Sequence, residues 1–206
     1  MTYVRRLADV GTGDPAAGGK MGRLAELARA GLSVPDAFVV TTEERARDLN
    51  RQPIYILGGA HAMTHHMGIS QMPEVTVTAA AQSGPLAFRR AGITAADVDT
   101  LQVYDSFTIT VVLSLEDLGF CEKGEGGAFV EGGRLRFDGE LPTNTDGGGL
   151  SACHPGMRGM FLIVEAVRQL RGEGINQVRD PKVAVAHGTG GMLSTGATLV
   201  LGTDAP

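Results

Sequence analysis

Two cysteines, Cys121 and Cys153, are all that 206 residues contain, too few for a disulfide framework. No apolar run approaches the roughly 18 residues needed to cross a bilayer. The longest candidates, Phe107 to Leu115 and Met160 to Val167, are short and have polar flanks. The opening Met-Thr-Tyr-Val-Arg-Arg is not followed by an apolar stretch, so no secretory signal is expected, and these absences together predict a cytoplasmic protein with no membrane span. Basic clusters are missing too. With a formal net charge of -5, nucleic acid is excluded as the main partner, because phosphate binding needs a concentrated positive surface. A local anionic ligand is still compatible, since a few cations or a helix N-terminus can hold one.

What the chain has in excess is glycine. Thirty residues is about twice the ordinary share. They gather in 119–159 and 186–202, where tight loops are therefore expected. A hydrophobic fraction of 43% and a charged fraction of 20% are globular values, and the length suits one sizeable core.

Strand and helix patterns alternate along the chain. Gly18-Gly19-Lys20 leads into a helical pattern to Ala30 that Gly31 ends, and an apolar extended run to Val40 follows, with Pro35 inside it. Thr41 or Thr42 is predicted to cap a second helix ending near Asn50 to Pro53, with Glu43 and Glu44 in its first turn. Ile54 to Leu57 reads as a buried strand stopped by Gly58-Gly59, and residues 60–74 as a loop. Helices are predicted from Thr76 or Thr78 to Ala91, from Phe107 to Leu118 and over 158–171, where Phe161, Val164, Val167 and Leu170 recur at helical spacing. Strands are predicted at Leu101 to Val103, Val183 to Ala186 and Ala197 to Leu201. The fold class is α/β, a mixed sheet of about five strands with helices packed on it, preceded by a short helical leader.

In such a sheet ligands collect at loops beyond strand ends. Three of those loops carry reactive side chains: Tyr104-Asp105-Ser106-Phe107, the glycine run Gly147-Gly148-Gly149 with His154 behind it, and His187-Gly-Thr-Gly190-Gly191. A phenol, a carboxylate and two imidazoles can supply an acid, a base and hydrogen-bond donors to a carbonyl substrate. Each also has a plain alternative. Tyr104 would serve as a satisfied core tyrosine, His187 as a strand-end residue, and Asp105 or Ser106 as a helix cap, which for those two is the favoured reading. His61, His65 and His66 lack the second ligand pair of a zinc signature, so no metal is expected.

From about Val39 to Gly202 the sequence resembles the C-terminal half of the thiolase superfamily, in particular sterol carrier protein and lipid-transfer-type thiolases. The motifs that carry the resemblance come in order: Glu44-Arg-Ala-Arg-Asp48, Tyr104-Asp-Ser-Phe107, Gly124-Glu-Gly-Gly127, Asn144-Thr-Asp-Gly-Gly148, His154-Pro155-Gly156 and the last glycine-rich loop. The resemblance implies an acyl-CoA acyltransferase domain in lipid metabolism, working by Claisen condensation or thiolysis. It implies coenzyme A as part of the substrate and no separate cofactor. It also implies His154, Tyr104 and His187 as catalytic candidates, and Asn144, Gly147, Gly148, Ser106 and Gly190 as substrate-binding ones. In that superfamily the nucleophilic cysteine belongs to the N-terminal half, and neither Cys121 nor Cys153 occupies its motif. A partner is therefore implied, a separately encoded N-terminal half or an accessory protein. Ser106 stands where sterol carrier protein thiolases have a cysteine, and Tyr104 is similar to a tyrosine of retro-aldolase relatives. The alternatives are accordingly a retro-aldolase acting on a β-hydroxyacyl-CoA with a partner protein, and a noncatalytic acyl-CoA or lipid-binding or assembly module. Residues 1–42 are similar instead to the start of the nucleotide-binding domain of phosphoenolpyruvate synthases and pyruvate phosphate dikinases, in which the lysine matching Lys20 contacts ATP. The organisation expected is this incomplete leader, 1–42, followed by a thiolase C-terminal-like domain, 43–206.

Overall fold

A computed structural model of the chain describes residues 2–6, 38–48, 52–66, 68–154 and 156–205. The features expected at Lys20 and its helix to Ala30, at Gly31 and Pro35, at the end of the second helix near Asn50, and at Pro155 lie outside these residues. The chain forms two compact units, Met1–Ile56 and Leu57–Pro206.

In the first unit β1 (Thr2–Arg6) runs antiparallel to β2 (Phe38–Thr42) with Val4 opposite Val40, and Tyr3 also pairs with Tyr55. The five-residue α1 (Glu43–Arg47) follows β2 directly. Thr42 holds the N-cap position as expected from the sequence, but its side chain makes no capping bond.

The second unit is the α/β layer predicted from the alternating pattern. Its strands are β3 (Tyr55–Met63, in this unit from Leu57), β4 (Thr100–Val103), β5 (Val183–Gly190) and β6 (Thr195–Gly202), in the order β3-β6-β5-β4. β4 and β5 are parallel and β5 and β6 antiparallel, so the sheet is mixed. Four strands in this unit replace the expected five, because the first predicted extended run falls in the other unit. A second difference is the length of β3, which continues through Gly58-Gly59 to Met63 where a loop is expected. The reason is packing. A β-carbon at Gly58 would collide with the Ala87 carbonyl oxygen and stand 2.8 Å from the Ala91 nitrogen, so this glycine admits a helix to the sheet face and does not end the strand.

That helix is α2 (Ala80–Ala91), and Gly92 ends it at φ 71° with its N–H on Phe88 and Arg89 carbonyls. Its start is fixed from a distance: Thr78 donates both its N–H and its hydroxyl to Asp117 Oδ2, at 2.7 and 2.8 Å, and accepts the Ala80 N–H. Asp117 belongs to α3 (Thr108–Leu118), which Gly119 closes at φ 86°. A short α4 (Gly126–Phe129) precedes α5 (Arg158–Leu170). Leu162, Ala166, Val167 and Leu170 form the buried face of α5, which packs on β5 and β4. Leu101, Val103, Leu115, Leu118, Val185 and Val200 join helices and sheet in one core, each such side chain contributing about 1.5–3 kcal/mol of burial. No helix among the described residues is long and apolar enough to cross a membrane.

The open edge of β4 is occupied by the segment after Leu141. Leu101 donates to the Pro142 carbonyl, Thr143 bridges Leu101 in parallel fashion, and Asn144 N–H returns to the Leu101 carbonyl. Thr145 then enters a buried polar cluster: its hydroxyl donates to Glu165 at 2.6 Å and accepts from Gln102 and Gln169. These bonds hold one end of the glycine-rich segment rigid where it leaves the sheet.

Candidate active site

The parallel pair β4 and β5 ends with Tyr104 and His187 side by side, since the Tyr104 N–H continues the ladder by donating to the His187 carbonyl at 2.9 Å. Beyond this end lies a cavity of about 470 Å³. Tyr104 and Ser106 reach it from the loop before α3, His154 from the segment before α5, Arg158 from the first turn of α5, and Gly190 from the end of β5. Phe107, Ile109, Ile69, Met192 and Leu193 make the remaining wall largely apolar.

Tyr104 and His154, fifty residues apart, meet at this cavity. The phenol oxygen lies 2.8 Å from His154 Nδ1 and 3.1 Å from Nε2, and the rings stack at 21° with centroids 5.5 Å apart. One O–H serves one nitrogen at a time, so the tautomer selects the bond. Burial raises the phenol above its ordinary pKa, the Asp105 carboxylate adds to this, and the Arg158 guanidinium opposes it. Tyr104 therefore keeps its proton at neutral pH and stands as a hydrogen-bond donor in contact with the His154 ring.

Asp105 is not the helix cap expected from the sequence. The N-cap of α3 is Phe107, without a side-chain bond. Asp105 is buried and accepts the Gly149 N–H on Oδ1 at 2.8 Å and the Leu150 N–H on Oδ2 at 3.0 Å, so it holds the glycine loop. Ser106 Oγ is 3.1 Å from Thr110 Oγ1 inside α3. Of the residues expected to bind substrate, Ser106 and Gly190 line the cavity. Asn144, Gly147 and Gly148 belong to the loop behind it. Asn144 accepts the Val103 N–H on its side chain at 2.8 Å, and Gly147 and Gly148 turn the loop at φ 93° and 73°.

His187 is fully buried. Its Nδ1 is 2.8 Å from Thr198 Oγ1, which is 2.9 Å from Ser83 Oγ, and its Nε2 has no hydrogen-bond partner among the described residues. Burial lowers its pKa to about 4, so it is neutral at physiological pH. The continuous apolar run Val183 to Ala186 marks a strand covered on both faces, and that run is the signal for this burial.

Two residues of this site are given no role by the sequence: Asp146 lies within the Asn144 to Gly148 motif without an assigned part, and Arg158 lies in none. Arg158 and Asp146 form a two-pronged ion pair, Nη1 to Oδ2 at 2.8 Å and Nη2 to Oδ1 at 3.0 Å. Burial alone would raise Asp146, but Arg158 and the Gly148 N–H outweigh it and hold the carboxyl below its usual range. Among the described residues no group of three or more His, Cys, Asp or Glu side chains is placed to hold a metal ion.

Residues 61–203 match the family described as thiolase C-terminal domain-like. An acetyl-CoA acetyltransferase of Methanothermobacter thermautotrophicus is 36% identical over 164 residues, 78% of this chain and 43% of that protein. A steroid side-chain-cleaving aldolase of Thermomonospora curvata is 38% identical over 178 residues, 82% of this chain and 43% of that protein. In structure, an Ltp2-ChsH2(DUF35) aldolase superposes with a TM-score of 0.73 at 34% identity, covering 83% of this chain and 45% of the other. The chain spans less than half the length of these relatives. With residues 61–203 matched, and with relatives 36% and 38% identical over about four fifths of it, the chain belongs to the thiolase C-terminal domain-like family.

Proposed function

We propose that this domain cleaves the Cα–Cβ bond of a β-hydroxyacyl-CoA thioester by a retro-aldol reaction. The observation that carries this reading is the Tyr104–His154 contact at the wall of the cavity. His154 takes the proton of the β-hydroxyl, the Cα–Cβ bond breaks, its electrons pass into the thioester enolate, and a carbonyl forms at Cβ. The Tyr104 phenol, held protonated by burial, donates to the thioester oxygen as charge develops there. His154 then returns the proton to Cα, so atoms and charge balance without water or cofactor. The largely apolar wall suits a hydrophobic acyl group. The likeness to two aldolases, at 38% and 34% identity, supports the same chemistry.

A second reading, acyl transfer by Claisen condensation or thiolysis, is favoured by a different feature. Met157, Met160 and Phe161 form an exposed apolar stripe on the first turns of α5, beside His154. A separate polypeptide bearing a cysteine nucleophile could cover this stripe and use His154 as its base. The 36% identity to an acetyl-CoA acetyltransferase supports it.

The two readings separate in one assay. The chain, alone and co-expressed with its gene neighbours, is incubated with β-hydroxyacyl-CoA and, separately, with β-ketoacyl-CoA plus free CoA, and products are followed by mass spectrometry. Cleavage of the hydroxy substrate to a ketone or aldehyde and a shortened acyl-CoA, abolished in His154→Gln, supports the first reading. CoA-dependent thiolysis of the keto substrate alone overturns it in favour of the second. Turnover of neither substrate in any combination overturns both and leaves a binding module.

A further inference from the structure

We propose that Asp105 and Arg158 are positioning residues for the Tyr104–His154 pair, forming with Asp146 a charge cluster that locks three separate segments around the cavity. This rests on the reading of Tyr104 and His154 as the catalytic pair. The segments are the loop before α3, which carries Tyr104; the glycine loop 146–150; and the first turn of α5, four residues after His154.

Each segment is irregular at the site, and the cluster joins all three. Asp105 follows Tyr104 directly and spends both carboxylate oxygens on the Gly149 and Leu150 amides. Asp146 opens the same glycine loop, accepts the Gly148 N–H at 2.9 Å, and grips Arg158 through two bonds. Arg158 closes the ring: its Nε stands 3.8 Å from Asp105 Oδ1 and has no hydrogen-bond partner among the described residues. The Asp105 and Arg158 side chains are 4% and 5% exposed, so a lone carboxylate or guanidinium there would be strongly destabilising. Two amides and a cation compensate Asp105, and two carboxylates compensate Arg158. Asp105 does not line the cavity, so it acts through its neighbours.

The cluster also sets the field at the phenol. The charged or titratable groups about Tyr104 are Asp105 from its own loop, Arg158 from α5 and His154 from the segment before α5. Asp105 and Arg158 act on the phenol with opposite sign, and a purely structural brace would not.

Ultraviolet titration of tyrosine in the full chain tests this. Tyr3 and Tyr55 are removed by subtracting the same variant carrying Tyr104→Phe. Asp105→Asn should let Tyr104 ionise at lower pH than in the parent, and Arg158→Gln only at higher pH. Both variants should lose about tenfold or more in kcat with KM little changed, as expected when reacting groups are displaced by a fraction of an ångström. Phenol titrations that stay at the parent position, or move the same way in both variants, overturn the proposal, whatever happens to the melting temperature. Should Asp105→Asn fail to fold, Arg158→Gln decides alone: an upward shift supports the proposal and its absence overturns it. Failure of the functional reading is distinguishable, because the parent would then turn over neither substrate, or His154→Gln would retain activity, while the opposed titration shifts persisted.

Discussion

Gly148 sits so close to the Asp105 carboxylate that a β-carbon there would collide with Oδ2, and its φ of 73° is itself one that an L side chain resists. Gly148→Ala should therefore destabilise the protein by more than the roughly 1–2 kcal/mol of left-handed backbone strain, and should impair turnover by displacing the Gly149 and Leu150 amides. Gly147→Ala is the control. Its φ of 93° carries similar strain, but the new β-carbon would stand 3.2 Å from the Ser151 hydroxyl at the end of a short side chain. Chemical denaturation of the two variants should show Gly148→Ala the less stable.

Tyr104→Phe removes one oxygen from the wall of the cavity and leaves the ring stacked on His154. On the retro-aldol reading the loss is confined to stabilising the developing enolate, so kcat should fall about 10²- to 10³-fold with KM nearly unchanged. Steady-state kinetics on a β-hydroxyacyl-CoA give both constants. A rise in KM at constant kcat would assign Tyr104 to binding alone.

His187 predicts a pH dependence of stability that is separate from activity. Its pKa is about 4 in the folded chain against an ordinary 6.5. Between these values the unfolded chain binds the extra proton, so stability is fully present above pH 6.5 and is lost as pH falls toward 4. The loss should reach about 3 kcal/mol, from 1.36 kcal/mol per unit. In His187→Gln, whose amide can still meet Thr198, urea denaturation at a series of pH values should show that part of the slope removed.

The elements were legible where the signal is local. Helical spacing over 158–171, and glycines at 92 and 119 that stop α2 and α3 in the left-handed conformation, are properties of neighbouring residues. The candidate cavity was half legible: Tyr104, Ser106, His154 and Gly190 stand out as reactive or permissive residues after strands and do line it. Features decided by distant segments were not legible. Gly58-Gly59 resembles a strand stop because nothing nearby shows that Ala87 must approach it. Asp105 resembles a helix cap because its true donors, Gly149 and Leu150, lie 44 and 45 residues away. Arg158 gives no sign that two carboxylates surround it.

Gln169 predicts that the same site depends on a side chain far from its chemistry. Its amide nitrogen, with two N–H groups to share, lies 2.9 to 3.0 Å from Thr145 Oγ1, Glu165 Oε1 and the Asn176 carbonyl, and its oxygen accepts the Val178 N–H at 2.9 Å. It thus joins α5, the segment that carries Asn144 and the loop after α5 in one buried cluster. Gln169→Leu is similar in size but leaves Glu165 one donor short, with the Thr145 hydroxyl still donating to it, and the Val178 amide without its acceptor. A loss of about 2–4 kcal/mol in a denaturant melt is expected. Removing the carboxylate as well, in Glu165→Met with Gln169→Leu, takes away one of the groups left unsatisfied. The double variant should then lose distinctly less than the sum of the two single changes, whereas simple additivity would show that the two side chains do not share one network.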